Sequence, residues 1–232
     1  MYHPRPYGSF YDMGFKYGSL LRQKEIAPLA MTQRQAEFGE KCYQFVNGTQ
    51  IQPGITFHLI IRKVLETCRT VADAIALIQA AKVASANNFL IADAAGNMAV
   101  VESAPQGAEV RYPAANENFL CITNQFQHPK MQAFDQGGIG WCRSAERYQY
   151  LRDRLSQSPQ INVDSAKEIL STAPVCLDLR REQFGTLWSV VANLKTLAIT
   201  RAEGKPKTTN YHPDPRLPWW LQKRPSPALA HH

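Results

Sequence analysis

The sequence predicts an α+β protein in which antiparallel sheets lie beneath helices. Two observations carry this. Apolar residues recur first at helical spacing, and from Asn88 the period changes to short strands punctuated by turn residues. These strands are apolar on both faces instead of alternating, the pattern of a sheet covered on both sides.

Taken in order, Phe10, Met13, Gly14, Tyr17, Leu20 and Leu21 share a helical face, and a second helix runs from Thr32 through Phe38, Cys42 and Phe45. Asn47-Gly48 and Pro53-Gly54 mark turns. Phe57, Ile60, Ile61, Val64, Leu65 and Cys68 then line one side of a helix. Thr70 caps the next, with Asp73 three residues on to answer the free amides of its first turn.

Asn88 to Ala92 and Met98 to Glu102 flank the turn at Asp93-Ala94-Ala95-Gly96-Asn97 and predict a hairpin. Ala108 to Tyr112 and Phe119 to Thr123 are expected to extend its sheet. Ser144 is expected to cap a helix carrying Tyr148, Leu151 and Leu155, and Asp164 to open a shorter one. Thr186 to Leu194 and Thr196 to Ala202 form a last hairpin, and little regular structure is expected beyond Gly204.

The bulk properties narrow the class. At 232 residues and 44% hydrophobic content the chain can bury a substantial core. Its apolar runs fall far short of the roughly 20 residues a membrane span requires, and no apolar segment follows Arg5 as a secretory signal would need. Five widely spaced cysteines without Cys-x-x-Cys do not read as a disulfide framework, so a cytoplasmic location is expected. Much of the net charge of +7 sits in Lys205, Lys207, Arg216, Lys223 and Arg224. That placement reads as a solvated basic tail, and no nucleic-acid partner is expected.

The scattered histidines His3, His58, His128 and His212 have no metal-ligand spacing, so no metal is expected. Gly137-Gly138-Ile139-Gly140 lacks the Lys-Ser/Thr of a phosphate-binding loop. Asn124 stands where a predicted strand gives way to the polar loop Gln125-Phe126-Gln127-His128-Pro129. A side-chain amide there can cap a turn or donate to an oxyanion.

The segments Gly54 to Cys68, Thr70 to Ile75, Ala86 to Asp93, Gly96 to Glu102 and Thr123-Asn124-Gln125-Phe126 together resemble one family. It is the acyl-coenzyme A:6-aminopenicillanic acid acyltransferase family, also called the C45 autoproteolytic peptidases and related to choloylglycine hydrolases. Ser144-Ala145-Glu146-Arg147-Tyr148, Phe184 to Val191 and Glu203 to Pro206 continue the likeness in the same order.

The resemblance implies the N-terminal-nucleophile (Ntn) hydrolase fold, with αββα layers and antiparallel sheets. It also implies acyl transfer to or from an amide or thioester by a cysteine that autoproteolysis exposes. Asn124 would be the oxyanion donor, and Arg147, in Ser-x-x-Arg-Tyr, would orient nucleophile or substrate. Glu102 also lies in a matching block, and pairing with a nearby arginine accounts for it. The substrate would be a small acyl or amide compound, with acyl-coenzyme A as a candidate donor and no cofactor.

By the same likeness, residues 1–50 resemble the precursor segment, residues 51–211 the hydrolase-like domain, and residues 212–232 a Pro-rich basic tail. The pattern breaks between Val46 and Gly54, where the family carries its nucleophile and the strands that follow it. Cys42 is the one candidate substitute by position, although it shares helical spacing with Phe38 and Phe45. The fold is therefore expected to be incomplete, with apolar sheet edges that a homo-oligomer would cover. The chain is either an acyltransferase or linear-amide hydrolase, or a catalytically inactive remnant that binds a ligand or partner.

Overall fold

The computed structural model describes residues 52–135, 142–157, 161–179, 184–216 and 219. The helices predicted for the N-terminal region, Cys42 and residues 137–140 lie outside the described residues. The chain divides into two compact units, Met1–Gln157 and Ser158–His232.

In the first unit, helix α1 (Phe57–Thr67) is followed at once by α2 (Val71–Ala80). The cap expected at Thr70 is present as a full capping box. The Thr70 hydroxyl accepts from the Asp73 amide at 3.1 Å, and Asp73 Oδ2 accepts from the Thr70 amide at 3.1 Å. This exchange satisfies amides that the helix itself leaves without partners.

Strands β1 (Asn87–Ala92), β2 (Met98–Ala104) and β3 (Gly107–Arg111) make an antiparallel sheet in the order β1-β2-β3. The turn between β1 and β2 is organised by Asp93, whose carboxylate accepts from the amides of Ala95 and Asn97 and from the Asn97 side chain.

Register decides which residues face the helices. Phe89 pairs with Val101 and Val101 with Val110, so all three share one face. That face packs on Ile60 of α1 and Ile78 of α2, where Val101, Ile60 and Ile78 are at most 2% exposed. Burying side chains of this size contributes about 1.5 to 3 kcal/mol each. Asn88 pairs with Glu102, and Glu102 with Glu109, on the opposite face. The polar loop after Thr123 lies there, bonded to both Asn88 and Glu102.

Strand β2 is buried on both faces from Ala99 to Ala104, whereas Leu90 and Ala92 of β1 are exposed, so the two-sided cover that the unalternated strands predict is met at β2 and not along β1. The segment from Phe119 to Thr123 does not extend it as a fourth strand. Its end is tied to the sheet by the Asn88 side chain, which donates to the carbonyls of Thr123 and Gln125. Cys121, within this segment, is buried.

Short helix α3 (Pro129–Gln132) follows, placing Met131 against Phe126, Ala86 and Ala104. Helix α4 (Ser144–Ser156) closes the unit. Its cap position belongs to Arg143, held in the left-handed conformation (φ 56°), and not to Ser144, whose hydroxyl is committed elsewhere. Arg152 of α4 bonds Glu117 and lies 5.3 Å over the Phe119 ring. That anchors the helix to the segment leading into Thr123.

The second unit contains α5 (Val163–Ser171), capped by Asn162, then a two-stranded pair, β4 (Asp178–Leu179) with β5 (Phe184–Gly185). The expected last hairpin is β6 (Ser189–Asn193) with β7 (Ala198–Ala202). Asn193 Oδ1 shapes its turn by accepting from the Lys195 and Thr196 amides. A short strand, β8 (His212–Pro213), pairs with β7 at Thr200 and Arg201, so regular structure continues past Gly204. Pro213 is tolerated there because β8 is an edge strand.

Candidate functional site

Thr123, Asn124 and Gln125 are held from two directions. From the sheet, Asn88 Nδ2 donates to Thr123 O at 2.9 Å and to Gln125 O at 3.0 Å, grasping the backbone on either side of Asn124. From α4, Ser144 Oγ accepts the Asn124 amide at 3.0 Å and donates to Thr123 Oγ1 at 3.0 Å.

The loop beyond is pinned by Glu102. Its carboxylate is fully buried and accepts from the amides of Gln127 and His128, both at 2.9 Å, and from Arg111 Nε at 2.5 Å. The pairing with a nearby arginine expected for Glu102 is present, and the two loop amides add to it. Three donors on one carboxylate satisfy a charge that would otherwise be costly inside the fold.

The side chain of Asn124 is exposed and is oriented by Arg147. Arg147 Nη2 donates to Asn124 Oδ1 at 2.5 Å, while Arg147 Nε donates to the Cys142 carbonyl at 3.0 Å. A guanidinium can only donate, so the amide must present its oxygen to Arg147. The Asn124 Nδ2 hydrogens are thereby left for another acceptor.

The same Arg147 Nη2 lies 3.3 Å from Cys142 Sγ, and that sulfur lies 4.0 Å from Asn124 Oδ1. The left-handed turn at Arg143 lets Cys142 and Ser144, on either side of it, both reach Asn124. Such backbone conformations are uncommon in residues other than glycine and concentrate where function requires them.

The structure brings together Asn124 and Arg147, 23 positions apart in the chain. It also adds three residues that sequence reasoning did not select. Asn88 and Ser144 position the loop, and Cys142 sits between Arg147 and Asn124. The resemblance had already drawn in Asn88 and Ser144 as members of matching blocks, and Ser144 was expected only to cap its helix. Cys142 gave no signal, because its neighbours in space lie across the loop and along the next helix.

Other titratable groups mark contrasts. Burial pushes the Cys121 thiol up from its ordinary range, which keeps it protonated. Burial likewise raises the Tyr148 phenol, one residue beyond Arg147. The hydrogen bond from Arg152 holds the Glu117 carboxyl below its usual range, so that anchor stays ionised. Among the described residues no group of three His, Cys, Asp or Glu side chains converges as a metal site would.

A groove of about 470 Å³ runs between α1 and β1, lined by apolar residues including Val64, Leu65, Ile78 and Leu90. Ile122 and Asn88 also line it, which brings the groove to the segment carrying Asn124.

The described residues thus combine an α+β fold with a side-chain amide oriented by a guanidinium. The family described as acyl-coenzyme A:6-aminopenicillanic acid acyl-transferase matches residues 41–208. That match covers well over half of the chain, and the chain belongs to this family. A search among curated proteins gives no match. No helix among the described residues is long and apolar enough to cross a membrane.

Proposed function

We propose that this protein transfers an acyl group from an amide or thioester, with Asn124 Nδ2 donating to the oxyanion of the tetrahedral intermediate. The observation that carries the reading is the Arg147 bond to Asn124 Oδ1, which sets which end of the amide faces a ligand. Arg147 is then a positioning residue, acting through Asn124.

The family supports acyl-transfer chemistry of this kind, and the site supports the division of labour within it. A preorganised donor stabilises charge that develops only in the transition state, so it lowers the barrier without tightening substrate binding. The groove beside Ile122 has room for an apolar acyl group, and the candidate donor is acyl-coenzyme A. The layering would be that of N-terminal-nucleophile hydrolases, with a covalent thioester between protein and acyl group.

The test is turnover of an activated aryl thioester and of an aryl amide by the full chain. Asn124→Ala should lower kcat by roughly 10²- to 10³-fold with little change in KM, the usual effect of removing one oxyanion donor. Arg147→Lys should lower kcat less, because lysine keeps the charge and loses the planar fork. Equal kcat for the parent and Asn124→Ala would remove the basis of the reading.

A further inference from the structure

We infer that the groove beside β1 takes an extended, uncharged, peptide-like amide, which pairs with β1 as an added strand and gives the acyl-transfer reading above its substrate class. The ligand's role as substrate rests on that reading; its binding rests on the strand edge. The groove is lined along one side by the consecutive residues Asn88 to Ala94, and elsewhere by Val64 and Leu65 of α1 and by Ile122. Phe89 faces the helices and Leu90 the opposite side of the sheet, so a groove that touches both follows the edge of the strand and not either face.

That edge offers hydrogen bonds. The Asp93 amide donates to the Asn97 carbonyl, so in the β1–β2 register, where bonding alternates residue by residue, Phe89 and Ile91 also bond toward β2. The N–H and C=O groups of Asn88, Leu90 and Ala92 therefore point the other way, and among the described residues β1 pairs with β2 alone. A saturated chain laid in the groove would strip water from these groups and give no hydrogen bond in return. A peptide satisfies them, and its side chains reach the apolar walls. Strand β1 has no charged residue, unlike β3 with Glu109 and Arg111, so a ligand beside it meets no charge to answer. The Asp93 carboxylate at the far end is already engaged by its own turn and by the Val71 amide.

The two ends of β1 set the direction of the ligand. Asn88 bonds the carbonyls of Thr123 and Gln125, so its end lies at the segment carrying Asn124, whereas Asp93 lies beside the start of α2. The carbonyl to be attacked must reach Asn124. The ligand's C-terminal end therefore lies at Asn88 and its N-terminal end toward Asp93, antiparallel to β1. At about 3.3 Å per residue, four ligand residues cover the stretch from Asn88 to Ala92. A strand of a second copy could pair with the same edge, but a ligand with a free end also brings a carbonyl to Asn124.

The experiment uses the full chain and two p-nitroanilides of equal length, one of an acetylated tetrapeptide of alternating alanine and valine and one of a saturated acyl chain. The matching peptide alcohol, which lacks the carbonyl to be attacked, is the binding probe. The peptide anilide should have a KM roughly 10-fold below that of the saturated one. The peptide alcohol should shift the Leu90 and Ala92 amide resonances. Leu90→Pro removes an outward N–H that β2 does not use, a change edge strands accept, and should raise the Kd for the alcohol about fivefold beyond Leu90→Ala. If Leu90→Pro fails to fold, methylation of the peptide nitrogens decides. Alternate positions should weaken binding about fivefold, and those between them should not. Equal KM for the two anilides, or methylation effects without alternation, overturns the inference and leaves the acyl-transfer reading standing. So does protection of the Leu90 and Ala92 amides from hydrogen exchange without peptide, whether independent of protein concentration, as cover by residues 1–51 would give, or dependent on it, as a second copy would give. Alternating peptide binding with no turnover of either anilide supports the strand-pairing site and overturns the acyl-transfer reading, leaving the peptide a ligand and not a substrate.

Discussion

Truncating Glu102 to alanine strips three donors of their acceptor at once: Arg111 Nε and the amides of Gln127 and His128. Each amide left without a partner costs about 1 to 3 kcal/mol. Breaking a buried ion pair by removing one member costs about 3 to 5 kcal/mol. These costs share one carboxylate and do not add, and Arg111, with a side chain 17% exposed, regains some water. The expected loss is therefore about 4 kcal/mol, read as a shift in urea midpoint at constant slope. Native-state hydrogen exchange localises it, because the Gln127 and His128 amides should lose protection before those of β2. Acyl transfer should fall as well, since the loop they anchor begins one residue after Asn124. Stability within about 1 kcal/mol of the parent, with both amides still protected, would refute the claim that Glu102 holds the loop.

Three further outcomes follow from the first unit. Hydrogen bonding from Thr70 holds the Asp73 carboxyl below its usual range, aided by the Arg69 and Thr70 amides. A depressed folded value means the contribution is present above the unfolded value of about 4 and is lost as pH falls through the folded one. Asp73→Asn should therefore be less stable than the parent at neutral pH, with the gap closing in acid; a gap independent of pH would contradict the assignment. Thr70→Ala should cost about 1 kcal/mol by loss of the cap, measured in the same urea titration. Gly54→Ala should also destabilise, by about 1 to 3 kcal/mol, because a Cβ there would sit 2.7 Å from the backbone of Lys82 and Val83. An unchanged melting temperature would show that this crossing can open without cost.

Much of the fold was legible in the sequence because the relevant forces are local or periodic. The apolar spacing through Ile60 and Val64 marks α1 as a helix whatever it packs on, and Thr70 with Asp73 completes the cap of α2 within one turn. Asp93 and Asn97 likewise make the β1–β2 turn from neighbouring residues. The readings that changed were those with a tertiary competitor. Phe119 to Thr123 has strand-like composition, yet Asn88 takes its last carbonyl from the face of the sheet. Ser144 has the chemistry of a helix cap, yet its hydroxyl serves Thr123 and the Asn124 amide.

The same division runs through the site. By itself the sequence determined the α+β class, the family, and Asn124 with Arg147 as the residues to examine, because ordered blocks of residues can be matched without coordinates. The tertiary structure alone decided that Arg147 bonds Asn124 Oδ1, that Glu102 and Asn88 grip the loop around it, and that Cys142 lies within reach of both. The physical reason is directional. Hydrogen bonds and nucleophilic attack depend on a few ångströms and an orientation, and those are set only when the helix starting at Ser144 is packed against the segment ending at Asn124.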